Sequence, residues 1–211
     1  MAMLEVLEVS NTTITFPLMA SVIRAVIGNA DFSVFVFGTT GVRKTALVAV
    51  FQSFVGAQFD ARHLPGNWSS TANAIEELLF TAKDLPVTID DYVPAHAGER
   101  GALDAKADRV FRGSANGSGR QRLRADGSPR PERPSRGLPI ATGEMMPTNV
   151  SVLARVFAIE IKKGSVDLQR LTKLQKDAAD GKLVLAMSGF IQWLAPRLER
   201  VREELKHRTE D

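Results

Sequence analysis

Eight consecutive residues, Gly38, Thr39, Thr40, Gly41, Val42, Arg43, Lys44 and Thr45, carry the strongest chemical signal in the sequence. They meet the pattern G-x-x-x-x-G-K-[ST] at Gly38, Lys44 and Thr45 and break it at Arg43, where the second glycine is expected. A loop of this kind, leading from a strand into a helix, surrounds a phosphate chain with backbone N–H groups and the positive end of the helix. All eight residues are therefore candidates for phosphate contact. Lys44 is expected at the β- and γ-phosphates, and the Thr45 hydroxyl on magnesium. Glycine suits the sixth position because a Cβ obstructs close approach of backbone to phosphate. At positive φ a non-glycine residue costs about 1–2 kcal/mol. Arg43 brings a positive charge that offsets part of that loss. A chance match on a strand-helix turn is the plain alternative, as is a loop built correctly that binds nucleotide weakly.

A second acidic signal follows about 45 residues after Lys44, where Leu85-Pro86-Val87-Thr88-Ile89-Asp90-Asp91 reads as an apolar strand ending in two carboxylates. Asp90 would hold magnesium through water, and Asp91 would polarise the attacking water. Alone, an Asp-Asp pair is more simply a surface turn; paired with the loop it reads as a hydrolytic site. Thr142 and Glu144 follow another short strand in Leu-Pro-Ile-Ala-Thr-Gly-Glu. Thr142 is the better placed to act as a polar sensor of water and γ-phosphate, and a turn or helix cap is the competing account. Arg155 precedes a further strand and could be an arginine finger donated to a neighbouring subunit, or one half of a surface salt bridge.

The elements that must position these residues alternate. Phe16 to Asn29 spaces Leu18, Val22, Ile23, Val26 and Ile27 as a helix does and stops at Gly28-Asn29. Ser33 to Phe37 is a short apolar run ending at Gly38, the mark of a strand buried on both faces. Thr45–Phe59 and Ser70–Lys83 read as helices, and Val87–Ile89, Leu138–Ala141 and Arg155–Ile161 as strands. Gly181 to Leu205 reads as one closing helix that fades into a polar tail. Strands alternating with helices predict an α/β fold around a parallel sheet covered on both faces.

Composition narrows the chemistry further. The 211 residues, 44% hydrophobic and 24% charged, suit one globular domain, at most two. With no cysteine, thiolate nucleophiles, zinc ribbons and iron–sulfur clusters are excluded, and three distant histidines, His63, His96 and His207, do not make a metal cage. A metal would sit on oxygen ligands. The first residues lack a signal sequence and no apolar run is long enough for a membrane span, so the expected location is cytoplasmic. The net charge of +3 hides an uneven distribution: Arg109 to Arg136 holds eight arginines and two acids. Such a stretch is either a solvated loop or an arm for an anionic partner.

In order and wording, GTTGVRKTALVAVFQSFVG, GNWSSTANAIEELLFTAKDLPVTIDDY, DRVFRGSANGSGRQRL and RGLPIATGE followed by SVLARVFAIEI resemble a known family. They are similar to the helicase-like ATPase domains of primase-helicase proteins carried by plasmids, prophages and integrative elements, related to superfamily 3 helicases in the AAA+ class. The resemblance spans about Asp31 to Leu194 and departs from the family at Arg43. It implies a P-loop ATPase with sheet order 5-1-4-3-2, ATP and Mg2+ held between subunits of a homo-oligomeric ring, and a role in DNA replication. It also implies a lead-in helix over 1–30, a core over 31–195 with 109–136 as an inserted arm, and a polar helix end over 196–211. In such helicases a β-hairpin in the interval filled by the arginine-rich segment holds DNA. Here Asp126-Gly127 favours a hairpin turn, while Pro129, Pro131 and Pro134 forbid a regular return strand. Arg120, Arg122 and Arg124 alternate and would lie on one face, pairing with phosphates without reading bases. A primase would be a partner. The alternatives are a non-hydrolysing nucleotide-binding subunit spoiled by Arg43, and a DNA-binding remnant that uses the arm alone.

Overall fold

The computed structural model describes residues 2–94, 96–117, 126, 128 and 131–210. A short helix α1 (Ala2–Glu5) leads to α2 (Thr12–Ile27), which starts earlier than its apolar spacing suggests because the Asn11 side chain accepts from the Thr13 N–H at 3.0 Å. It stops at Gly28, φ +86°, where a Cβ would lie 2.8 Å from both Asp84 Oδ1 and Arg202 Nη2. Then follow β1 (Ser33–Phe37), α3 (Lys44–Gln52), β2 (Gly66–Asn67), α4 (Ala72–Thr81), β3 (Pro86–Tyr92) and α5 (Arg100–Ala115). The chain continues through β4 (Leu138–Gly143), α6 (Val150–Leu153), β5 (Val156–Glu160), α7 (Leu168–Ala179), α8 (Lys182–Leu194) and α9 (Leu198–Glu210).

All five strands are parallel, in the order β2-β3-β4-β1-β5, which counted from the β5 edge is 5-1-4-3-2. Successive side chains of a strand point to opposite faces, so β1 serves two cores at once. Val34 and Val36 pack into a cluster with α2, α3, α7 and α8, while Phe35 enters an aromatic cluster on the other face. There Phe35 meets Tyr92 edge-on at 5.4 Å, and Trp68 meets Tyr92 at 5.3 Å. Among the described residues, no helix is long and apolar enough to cross a membrane.

Several sequence boundaries move, each for a local reason. The helix expected over 45–59 ends at Gln52, and a single 3-10 turn carries it to Gly56. The closing helix expected over 181–205 is two helices, parted by a 3-10 turn at Ala195–Arg197 that contains Pro196. The arginine-rich arm expected from Arg109 does not start there. Residues 109–115 complete α5, whose buried face is Ala107, Val110, Phe111 and Ser114. Arg109 is accordingly a helix residue, bonded to Glu76 and Asn73 on the neighbouring α4.

Candidate functional site

The loop between β1 and α3 takes a shape that its residue types explain in part. Gly38, φ +154°, passes so close to the strand end beyond β5 that a Cβ there would sit 2.2 Å from the Ile161 carbonyl oxygen. Gly41, φ +85°, has open space beside it. Arg43 adopts φ +71° as the residue capping α3, the left-handed conformation that glycine takes freely. The loop therefore keeps a glycine's geometry at Arg43, at a cost of about 1–2 kcal/mol for the side chain. Val42 turns into the core, while Thr39, Thr40 and Arg43 are exposed.

Gly38 gives the first expected outcome. Because its neighbour is backbone and cannot swing away, Gly38→Ala should destabilise the chain by about 1–3 kcal/mol, as overpacked sites do. For a chain of this size each kcal/mol lowers the melting temperature by roughly 2–4 °C, which thermal denaturation would read directly.

Two strand ends meet this loop. The Lys44 ammonium donates to the carbonyls of Gly38 at 2.8 Å and Thr39 at 3.0 Å, so it lies along the loop. The Thr45 hydroxyl donates to Asp90 Oδ1 at 3.0 Å. Helix α3 is held against β3 by the buried Gln52, which donates to the Pro86 carbonyl at 3.0 Å and accepts from Thr88 N–H and Oγ1 at 2.9 and 2.8 Å. That clasp fixes the distance between the loop and the two carboxylates.

The register between β3 and β4 slips by one residue between Ile89 and Tyr92, so Asp90 and Asp91 together face Thr142. A bulge of this sort re-aims a side chain. Asp91 takes φ +69°. The Thr142 hydroxyl, 1% exposed, donates to Asp90 Oδ1 and accepts from the Asp91 N–H at 3.3 Å. Its one proton is thus committed to Asp90, and Thr142 fixes the Asp90 carboxylate and the backbone of Asp91. Burial first, then the charges of Asp90 and Glu144, push the Asp91 carboxyl above the ordinary carboxylate range, with Lys44 opposing them.

Lys44, Thr45, Asp91 and Thr142 line one cleft of about 350 Å³ at the C-terminal ends of β1, β3 and β4, and Asp90 joins it through its hydrogen bonds from Thr45 and Thr142. Thr45 and Asp90 present oxygen donors side by side, which suits a hard cation completed by water and phosphate. Among the described residues no cluster of three His, Asp or Glu could hold a metal alone. Sequence reasoning set Glu144 aside, yet it lines the cleft and accepts a hydrogen bond from the Thr40 hydroxyl. Only the register of β4 beside β1 reveals that contact.

Arg155 is not brought to this cleft. It precedes β5, at the opposite end of the sheet, where its guanidinium donates to the Ser151 carbonyl at 2.8 Å and the Ser151 hydroxyl at 3.0 Å. The hairpin expected around Gln121 to Ala125, with Arg120, Arg122 and Arg124, lies outside the described residues. Just before β4 the chain is anchored on α4: Arg136 N–H and Gly137 N–H donate to the Leu79 carbonyl, and the Arg136 guanidinium lies 4.0 Å from the Phe80 ring centroid.

Comparison with known proteins adds three findings. The model of a domain of unknown function, DUF927, matches residues 2–133. No curated protein matches. Among solved structures, one titled "SCCmec type IV Cch - active helicase" is similar over 97% of this chain, with a TM-score of 0.52 and 16% sequence identity. The likeness is one of fold, and this chain spans 41% of that protein's length.

Proposed function

We propose that this chain, which belongs to the DUF927 family of unknown function, is the ATP-binding and ATP-hydrolysing core of a helicase-like nucleic-acid motor. The observation that carries this reading is the Thr45–Asp90–Thr142 bridge beneath the Lys44 loop. It ties the residue types of a phosphate loop to the paired acids of a separate strand. ATP with Mg2+ would supply the phosphoanhydride bond and a cation to neutralise its charge. Lys44 would exchange two neutral carbonyl acceptors for phosphate oxygens, and Thr45 and Asp90 would hold the metal. Asp91, its backbone N–H held by Thr142, would accept a hydrogen bond from the attacking water and so polarise it.

Because Arg155 lies at the far end of the sheet from its own cleft, it would act on a neighbouring subunit, in a ring of copies of this chain. Arg120, Arg122 and Arg124 would hold the backbone of DNA without preference for sequence, as phosphate contacts do. A mobile-element replication role, with a primase as partner, belongs to the same reading. The test is magnesium-dependent ATP hydrolysis by the purified chain, measured with and without single-stranded DNA. Turnover that DNA stimulates supports the motor; absence of both ATP binding and turnover refutes it.

The left-handed conformation of Arg43 favours a second reading, a nucleotide-binding subunit that does not hydrolyse. Arg43→Gly separates the two. Affinity for magnesium–ATP that changes by less than about tenfold, equivalent to ~1.4 kcal/mol, is the expected result for a working site. A larger gain, measured by titration calorimetry, favours a site that Arg43 has spoiled.

A further inference from the structure

We infer that Glu144 is a latch on the phosphate site: its carboxylate holds the loop through Thr40, and an incoming phosphate chain must displace it to bind. The latch presupposes the nucleotide site proposed above and adds to it a means of regulation.

Strand register brings the two parts together. Phe37 at the end of β1 pairs with Gly143 at the end of β4, so the loop and Glu144 leave adjacent strands side by side. Gly143 lets the end of β4 lie close against β3 just before Glu144, since a Cβ there would lie 2.8 Å from the Tyr92 carbonyl oxygen and 3.0 Å from the Phe35 ring. The Thr40 hydroxyl then donates to Glu144 Oε1 across the mouth of the cleft that Lys44, Thr45 and Asp91 line.

Charge makes that contact antagonistic to phosphate. A loop shaped to receive an anion already has one, contributed by the chain itself, and a second anion entering beside it is repelled. Thr40 has a single hydroxyl proton, so it cannot serve Glu144 and a phosphate oxygen at once. Room for the exchange exists: Gly41 has no neighbour within 4 Å of its Cβ position, and Glu144 is only half-buried.

Glu144→Ala and Glu144→Gln test the latch, with magnesium–ATP and inorganic triphosphate titrated into wild type and variants by calorimetry. Loss of a charge-assisted hydrogen bond predicts affinity about tenfold tighter in the alanine variant. The glutamine variant, which keeps an acceptor without the charge, should fall between it and wild type. Both probes should gain in parallel. Variants that bind as wild type does overturn the latch and leave the nucleotide site standing, as does a gain for ATP without one for triphosphate. Unchanged affinity with lost turnover also overturns it, assigning Glu144 to the water. If neither wild type nor variants bind either probe, the latch and the nucleotide site fall together.

Discussion

Replacing Lys44 by alanine is expected to lower magnesium-dependent ATP turnover by at least about 10²-fold, the scale of losing one preorganised donor to a charge that grows in the transition state. Lys44 is the first residue of α3, and its ammonium donates to the carbonyls of Gly38 and Thr39. The contact with Thr39 is exposed and that with Gly38 only partly buried, so water can replace the ammonium when the side chain is cut back. The variant should therefore fold and melt as wild type does, which separates a chemical defect from a structural one. Phosphate release measured at saturating ATP, with and without single-stranded DNA, gives the result. Turnover unchanged by Lys44→Ala would remove the loop from the chemistry and sink the assignment.

Asp90 and Thr142 are legible in the sequence because each sits at the end of a short apolar run, and Lys44 and Thr45 because they close a glycine-marked loop that follows one. Their convergence follows once the strands are parallel, since parallel strands in one sheet bring their C-terminal ends to the same edge. The rest depended on information that periodicity does not carry. Strand β2 is only Gly66 and Asn67, with no apolar side chain to mark it, and exists through pairing with Ile89 and Asp90. Helix α5 shows its core face at Ala107, Val110, Phe111 and Ser114, but charged residues between them join it to the arginine-rich stretch in composition. Helix α7 is hidden for a similar reason, as its buried Leu171, Leu174 and Ala178 stand among lysines and glutamines. The contact between Thr40 and Glu144 joins residues more than a hundred positions apart, and only register reveals it.

Asp90 offers the sharpest division between structure and chemistry, because one oxygen serves both. Asp90 Oδ1 accepts from Thr45 and from the buried Thr142, and in the proposed reaction the same carboxylate holds magnesium. Asparagine keeps an oxygen acceptor of the same shape and loses the charge. Asp90→Asn should therefore fold with near wild-type stability while turnover falls about 10²–10³-fold, as expected when a group stabilising transition-state charge is lost. Alanine loses both functions. It leaves the Thr142 hydroxyl buried with no acceptor, at a cost of about 1–3 kcal/mol. Asp90→Ala should thus match the asparagine variant in turnover and melt lower by roughly 2–4 °C for each kcal/mol lost. Measuring both variants by phosphate release and thermal denaturation, across a magnesium titration, reads the two roles apart. If the asparagine variant hydrolyses ATP at the wild-type rate, Asp90 only anchors hydroxyls, and the metal must be held elsewhere in the cleft. If excess magnesium restores part of its turnover while alanine stays inactive, the carboxylate's charge recruits the cation and its geometry keeps Thr45 and Thr142 in place to use it.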